Sequence, residues 1–304
     1  MKRVSATVYG FPESIDAAGR LADALEWPLS EVSLHRFPDG ESLVRIDVSA
    51  ETAIVYRSLD QPNEKLVELM LAASALREAG TSKLILVTPY LCYMRQDTAF
   101  HPGEAVSQKV VGRFLDGIFD GIVTVDPHLH RTHDLSAIFP EAQAVALSAA
   151  PLFAAQLRAD GVGKETLLVG PDGESRQWVE AVAEPLGLDV LIGEKTRQGD
   201  RGVEIKIPGL EQAGDRPVVI IDDVVSTGAT LVQCAKQLTG AGAASIEVLA
   251  AHALWGGDDE SVLRAADISR LRSTDSIPHA SNAIYLAPLI AEALKAGLLP
   301  KGLT

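Results

Sequence analysis

The chain has 304 residues, and typical domain sizes therefore predict two domains. Hydrophobic residues make up 47% and charged residues 22%, a composition that supports two packed cores and excludes wholesale disorder. The 41 acidic and 27 basic residues give a formal net charge of −14, which disfavours nucleic acids and anionic membrane surfaces as partners.

The cysteine content and the N-terminus predict a cytoplasmic protein. The two cysteines, Cys92 and Cys234, lie far apart and have no metal-ligand spacing, so we expect a reducing compartment and no disulfide framework. The N-terminus turns polar before any long apolar segment, which is not the pattern of a signal peptide. No apolar run approaches the roughly 20 residues of a membrane-spanning helix.

Short runs rich in valine and isoleucine alternate along the chain with segments of helical periodicity. The strand candidates are 53–57, 83–88, 121–126, 166–170, 217–223 and 245–251, and two of the helical segments between them are 64–79 and 228–240. Continuous hydrophobic strands separated by helices predict parallel sheets that are buried on both faces. The predicted fold class is therefore α/β.

A weak internal repeat aligns residues 55–91 with 217–253 without gaps. Each copy has the pattern strand, loop, helix, glycine, strand. The alignment superposes Asp60 on Asp222, Leu69 on Leu231, Ala73 on Ala235, Leu76 on Leu238 and Gly80 on Gly242. Chance matching of apolar residues is the alternative to duplication of one α/β domain, for which the boundary would lie near 145–150.

The most informative segment is 218–230, in which a hydrophobic strand leads into Asp222 and Asp223 and then into a loop of small residues from Ser226 to Thr230. Such a loop lets backbone N–H groups approach an anion, and the following helix N-terminus favours negative charge. The two acids can accept hydrogen bonds from a vicinal diol, so the segment fits a 5-phosphoribose. The alternative is an ordinary helix N-cap on a β–α turn.

This segment resembles the 5-phosphoribosyl diphosphate (PRPP) loop that type I phosphoribosyltransferases share with PRPP synthetases, so it indicates the ligand and leaves the reaction open. Further stretches resemble the PRPP synthetase family specifically, through their order and spacing. They are 37–41, 93–97 with 100–104, 125–128, 170–173 and 194–197. The last resembles the catalytic loop of archaeal-type members.

The resemblance implies a fold and an activity. The fold is two duplicated type I phosphoribosyltransferase-like domains, each a parallel sheet flanked by helices: 1–147, 148–285 with the PRPP loop, and a C-terminal helix at 286–304 that packs back on the first domain. The activity is that of a ribose-phosphate diphosphokinase, a transferase of nucleotide biosynthesis that uses ATP, ribose 5-phosphate and Mg²⁺. The resemblance also implies a homodimer or larger homo-oligomer.

The resemblance assigns roles to individual residues. It implies that Lys195 and Arg197 stabilise the transferring group and that His128 and Asp172 bind Mg²⁺. The expected ATP ligands are Asp39, Glu41, Arg95, Gln96 and Asp97, and the expected ribose 5-phosphate ligands are Asp222, Asp223, Ser226, Thr227, Gly228, Ala229 and Thr230.

Each assignment has a simpler alternative. Residues 37–41 could be an ordinary tight turn, and Arg95 a solvated side chain. We expect His130 and His133 to be polar loop residues and not part of a transition-metal cluster. In the family the turn 37–41 often acts at the neighbouring subunit's site.

Two departures from the family pattern leave other functions open. Thr98 and Ala99 stand where many members have basic residues, which puts regulation by phosphate and ADP in doubt. A non-catalytic regulatory subunit is one alternative, although Lys195 and Asp172 are retained. A PRPP-consuming phosphoribosyltransferase is another, but nothing in 1–40 indicates the base-binding hood that it would need.

Overall fold

The computed structural model of the protein describes residues 2–129, 134–198, 202–256, 259–300 and 302–303. The chain divides into two compact units. The first comprises Met1–Leu147, Ser276–Pro278 and Tyr285–Thr304, and the second Ser148–Asp275 and His279–Ile284. No helix in the described ranges is long and apolar enough to cross a membrane.

A six-stranded parallel sheet organises the first unit, with strand order β2-β1-β5-β6-β7-β8. Its strands are β1 (Lys2–Gly10), β2 (Leu29–Glu31), β5 (Val48–Tyr56), β6 (Lys83–Val87), β7 (Gly121–Val125) and β8 (Gln143–Leu147), and an antiparallel hairpin is formed by β3 (Ser33–Arg36) and β4 (Ser42–Arg45). The helices are α1 (Ile15–Leu25), α2 (Pro62–Glu78), α3 (Ser107–Asp116) and, near the C-terminus, α8 (Ala287–Ala293). The α1 helix buries Ala18, Leu21, Ala22 and Leu25, which recur at the spacing of one helical face.

The second unit has a six-stranded parallel sheet of strand order β10-β9-β13-β14-β15-β16. Its strands are β9 (Leu167–Gly170), β10 (Asp189–Ile192), β13 (Pro217–Val225), β14 (Ser245–Ala253), β15 (Arg270–Thr274) and β16 (Asn282–Ile284), and a hairpin is formed by β11 (Glu194–Gln198) and β12 (Gly202–Lys206). The helices are α4 (Ala150–Ala159), α5 (Arg176–Ala183), α6 (Ala229–Gly240) and α7 (Asp259–Ala265).

The two units share one topology. In each unit the third and fourth strands form a separate hairpin, and the other six strands form a sheet in the same order. The predicted strands and the two predicted helices all occur, with bounds that differ by a few residues. The prediction of an α/β class with parallel sheets is confirmed. Continuous burial of β6, β7 and β9 explains why these strands read as unbroken hydrophobic runs.

The gapless repeat is correct in its carboxyl half. Gly80 and Gly242 follow the two corresponding helices, with φ of 93° and 87°. This is the left-handed region, in which glycine ends a helix without strain from a side chain. The aligned helix residues are buried in both copies: Leu69, Ala73 and Leu76 in α2, and Leu231, Ala235 and Leu238 in α6.

The repeat is wrong in its amino half, where the strands are offset. Tyr56 of β5 pairs with Val87, whereas Ile221 of β13 pairs with Leu249. The repeat alignment equates Val87 with Leu249, yet it matches Tyr56 with Val218. The true equivalent of Tyr56 is therefore Ile221.

This register changes the counterpart of the first acid. Arg57 follows Tyr56, and Asp222 follows Ile221, so Arg57 is the positional equivalent of Asp222. The expected superposition of Asp60 on Asp222 is therefore wrong. Asp60 lies in the loop after β5, whereas β13 continues beyond Asp222 to Val225.

The C-terminal segment packs within the first unit. The α8 helix lies against α1 and continues into a π-helical turn, Leu294–Leu298. The Gln143 side chain donates to the Gly297 carbonyl at 3.1 Å, and the Lys295 ammonium donates to the Ala24 carbonyl at 3.1 Å. Chain from the far end of the sequence thus completes the fold of the first unit.

Candidate active site

The candidate site of the second unit lies where the sheet order reverses. From β9 the chain passes to β10 on one side and later to β13 on the other, so the connections leaving β9 and β13 diverge. In parallel α/β sheets, ligands bind in the crevice outside the carboxyl ends of the strands at such a point. Asp172 follows β9, and Asp222 and Asp223 lie near the end of β13.

The acid pair on β13 is held by the backbone beside it. The Asp223 N–H donates to Asp222 Oδ1 at 3.0 Å, and the Val224 N–H donates to Asp223 Oδ1 at 2.8 Å. Asp223 is buried, and Asp222 is half-buried. Adjacent carboxylates with restricted exposure create a locally negative crevice that favours hydroxyl donors or a cation.

Asp172 lies at the centre of a second set of contacts. Its Oδ1 accepts hydrogen bonds from the N–H groups of Glu174 at 3.0 Å and Ser175 at 3.1 Å. Its Oδ2 forms an ion pair with the ammonium of Lys195, which lies on β11. The hairpin thus brings Lys195 to the edge of the sheet that carries the acids.

The pKa values of these groups report their mutual electrostatics. Burial raises the pKa of Asp222 well above its usual range, and the charges of Asp223 and Asp172 add to this, whereas Lys195 acts against it. For Lys195, burial favours the neutral amine, but the hydrogen bond and charge of Asp172, with further help from Asp222 and Glu174, raise the pKa overall. Lys195 is therefore a cation at neutral pH.

The predicted phosphate loop connects β13 to α6. Ser226 and Thr230 are half-buried, and Thr227 is exposed, with its Oγ1 accepting from the Ala229 N–H at 3.4 Å. Gly228 has φ of 71°, and an added Cβ would lie 2.6 Å from Cζ2 of Trp255. Glycine is required here by both backbone conformation and space.

Trp255 is a site residue that the sequence reasoning missed. It is buried, and its ring lies beside Gly228 in the loop. Its position just after β14, the strand next to β13, is the signal that could have indicated it.

The predicted nucleotide ligands belong to the first unit. Asp39 and Glu41 lie in the turn between β3 and β4, where Asp39 Oδ1 accepts from the Glu41 N–H at 3.1 Å. The turn is closed by hydrogen bonds from the Phe37 N–H to the Glu41 carbonyl at 2.8 Å and from the Gly40 N–H to the Phe37 carbonyl at 2.9 Å. The Pro-Asp-Gly turn expected from the sequence is present.

The other first-unit candidates lie in the loops after β6 and β7. Arg95 is exposed, and Asp97 lies in the same loop. The Oε1 of Gln96 accepts a hydrogen bond from the Ser107 hydroxyl at 2.6 Å. His128 follows β7 and is half-buried. Of the predicted site residues, the second unit thus gathers Asp172, Lys195, Asp222, Asp223 and the phosphate loop, while the ATP candidates and His128 belong to the first.

Some candidates lie outside the described part of the chain. These are His130, His133 and the side chain of Arg197. Within the described residues, no group of three or more histidine, cysteine, aspartate or glutamate side chains has a geometry that could hold a metal ion.

Comparisons with known protein families cover most of the chain. The model described as the N-terminal domain of ribose phosphate pyrophosphokinase matches residues 8–118, and the phosphoribosyl transferase domain model matches residues 143–281. The order of the two matches corresponds to the order of the two units.

Similar proteins and structures agree with these matches. The ribose-phosphate pyrophosphokinase of Methanopyrus kandleri is 34% identical over 93% of this chain and 96% of its own length, and that of Thermococcus kodakarensis is 37% identical over 85% and 90%. The crystal structure of phosphoribosylpyrophosphate synthetase from Mycobacterium smegmatis has a TM-score of 0.83 at 20% identity, covering 97% of this chain and 99% of that one. The expected fold and the resemblance to archaeal-type members are confirmed.

Proposed function

The chain belongs to the ribose-phosphate pyrophosphokinase family, and from this premise we propose that it transfers the diphosphoryl group of ATP to ribose 5-phosphate. The anomeric hydroxyl oxygen forms a bond to the β-phosphorus. The bond from that phosphorus to the α–β bridging oxygen breaks, the hydroxyl proton is lost, and the products are PRPP and AMP. The observation that carries this proposal for the site is the acid crevice with Lys195 at the reversal of the second sheet.

Ribose 5-phosphate occupies the carboxyl end of β13 in this proposal. Asp222 and Asp223 accept hydrogen bonds from two ring hydroxyls, and residues 226–230 bind the 5-phosphate through backbone N–H groups and the hydroxyls of Ser226, Thr227 and Thr230. The N-terminus of α6 supports an anion at this position.

Lys195 and Arg197 stabilise the transferring diphosphoryl group. The raised pKa of Lys195 keeps its ammonium charged, and its ion pair with Asp172 holds it beside the acid crevice before substrates bind. Reactions of this class depend mainly on positioning and charge neutralisation. Phosphate oxygens would replace Asp172 as the partner of Lys195.

The donor chemistry of the crevice fits Mg²⁺. Carboxylate oxygens are the ligands that Mg²⁺ prefers, and the raised pKa of Asp222 reports negative charge that a cation would offset. Asp172 would hold the ion, and the resemblance adds His128. Bound Mg²⁺ supplies neutralisation of polyphosphate charge.

The first unit binds the nucleotide in this proposal, through Asp39, Glu41, Arg95, Gln96 and Asp97. The turn 37–41 acts at the neighbouring subunit's site, so the active protein is a homodimer or larger homo-oligomer. We place this enzyme of nucleotide biosynthesis in the cytoplasm.

AMP release from ATP and Mg²⁺, measured with and without ribose 5-phosphate, tests the function. We expect AMP to form only when the sugar phosphate is present, with PRPP in equal amount. Binding of ribose 5-phosphate without AMP release would instead support a non-catalytic regulatory subunit. Consumption of PRPP with a free base would support a phosphoribosyltransferase.

A further inference from the structure

A buried ion-pair network occupies the sheet reversal of the first unit. Arg57 follows β5 and is only 1% exposed. Its Nε donates to Glu13 Oε1 at 2.7 Å, its Nη2 donates to Glu68 Oε2 at 2.5 Å, and its Cζ lies 3.8 Å from the centre of the Phe11 ring. A guanidinium with these contacts is fully engaged by its own chain.

The network stands where the second unit has its candidate ligand site. The strand register makes Arg57 the equivalent of Asp222, and Glu13 follows β1 as Asp172 follows β9. In the second unit this position carries the carboxyl group of Asp222, which adjoins Asp223 and interacts electrostatically with Asp172 and Lys195. In the first unit the corresponding position is filled by the chain's own cation.

The same network is tied to the hairpin that carries the turn 37–41. Glu68 of α2 is 0% exposed, and its Oε1 accepts from the Ser42 hydroxyl at 2.9 Å. The same oxygen lies 3.5 Å from Nη2 of Arg36, which also pairs with the exposed Glu64 at 2.8 Å. Arg36 ends β3 and Ser42 begins β4, so both ends of the turn are tied to one buried carboxylate.

Electrostatics keeps this carboxylate ionised. Burial by itself would raise the pKa of Glu68, but the hydrogen bonds from Arg57 and Ser42 and the charges of Arg57 and Arg36 bring it below its usual value. A charged, immobile acceptor binds hydroxyl and guanidinium donors more strongly than a neutral one does.

We propose that Glu68 and Arg57 are positioning residues that hold the turn 37–41 in its nucleotide-binding geometry, acting from the place that corresponds to the phosphoribose site of the second unit. The inference rests on the proposed nucleotide role of the turn. A loop that is ordered before binding loses less conformational entropy when the ligand arrives. Loosening the hairpin should therefore weaken ATP binding and leave the ribose 5-phosphate site unchanged.

The test frees the hairpin while keeping the ion pair between Arg57 and Glu68. The double variant Arg36→Ala with Ser42→Ala removes the ties on the hairpin side and leaves the buried pair of Arg57 and Glu68 intact. We expect the KM for ATP to rise about tenfold, the size of one lost hydrogen bond to a charged group. The KM for ribose 5-phosphate should stay near wild type, the Tm should fall because Glu68 loses a hydrogen bond, and hydrogen exchange of the amides in 37–41 should accelerate.

Two controls are matched to this variant. Arg45→Ala removes an exposed arginine of the same hairpin, which pairs with Asp47 and is 66% exposed, against 57% for Arg36. It should behave as wild type. The conservative double variant Arg36→Lys with Ser42→Thr keeps the charge and the hydroxyl and should restore most of the ATP affinity.

Asp39→Ala separates failure of this inference from failure of the proposed function. If Asp39→Ala raises the KM for ATP but the Arg36→Ala, Ser42→Ala double variant does not, the positioning role of Glu68 and Arg57 is overturned. If Asp39→Ala leaves the KM for ATP unchanged, the nucleotide role of the turn is what fails. Hydrogen exchange of the amides in 37–41 then tests the positioning role, and unaltered exchange in the double variant overturns it.

Discussion

Replacing Asp222 by asparagine should stabilise the ligand-free protein while abolishing turnover. The pKa of Asp222 is raised well above its usual range by burial and by the charges of Asp223 and Asp172. A carboxyl group of this kind contributes its full stability only below its unfolded pKa, and that contribution is lost as the pH rises through the folded value. At neutral pH the wild type therefore carries a cost that an amide lacks.

The magnitude follows from the pKa shift. Each unit by which the pKa is raised costs about 1.4 kcal/mol once the carboxylate is ionised. For a folded domain of roughly this length, each kcal/mol of unfolding free energy changes the Tm by about 2–4 °C. Asparagine retains an oxygen that can accept from the Asp223 N–H, a bond of 3.0 Å in the wild type, so the loop after it should keep its conformation. We expect a Tm gain of a few degrees at neutral pH that shrinks as the pH falls below the folded pKa and vanishes below the unfolded pKa.

Thermal unfolding of both proteins between about pH 4 and about pH 8 measures this difference. Asp60→Asn is the control, because Asp60 forms an ion pair with Lys65 at 2.7 Å and its neutralisation should lower the Tm or leave it unchanged. A lower Tm for Asp222→Asn at neutral pH, or a gain that is independent of pH, would refute the electrostatic reasoning. Mg²⁺ with ribose 5-phosphate should raise the Tm of the wild type more than that of the variant.

Three further outcomes are expected. Lys195→Ala should lower kcat by about 10²–10³-fold in the AMP-release assay with an unchanged circular dichroism spectrum, and near-normal turnover would exclude its role. Gly228→Ala should lower the Tm and raise the KM for ribose 5-phosphate, because its Cβ would lie 2.6 Å from the Trp255 ring, whereas Gly240→Ala, with nothing within 4 Å, should leave both unchanged or raise the Tm. Subunit mixing of Asp39→Ala with Lys195→Ala should restore about a quarter of wild-type activity if the turn acts at the neighbouring site, and no recovery would contradict that arrangement.

Local chemistry made much of the second unit predictable. Short hydrophobic runs such as 217–223 are typical of strands that are buried on both faces of a parallel sheet. Glycine with hydroxyl residues at 226–230 indicates a turn that leads into a helix. The resulting strand, acids, loop and helix are all present. The turn 37–41 was equally predictable, because proline and glycine restrict backbone conformation locally.

The contact between Lys195 and Asp172 could not be read from the sequence. It depends on a hairpin that returns the chain to the sheet edge, and hairpin placement is a tertiary property. The ring of Trp255 beside Gly228 has the same origin, since β14 brings it there through pairing with β13.

The sequence by itself determined six of the strands and two of the helices, the duplicated plan, the loop between β13 and α6, and the family, because these depend on periodicity and on residues that are adjacent in the chain. Only the tertiary structure decided which residues of the two copies correspond. Strand register is set by pairing between distant segments, and it makes Arg57, not Asp60, the positional equivalent of Asp222. One topology therefore holds a cluster of acids in the second unit and an arginine-centred ion-pair network in the first, because the charge at that register position is reversed.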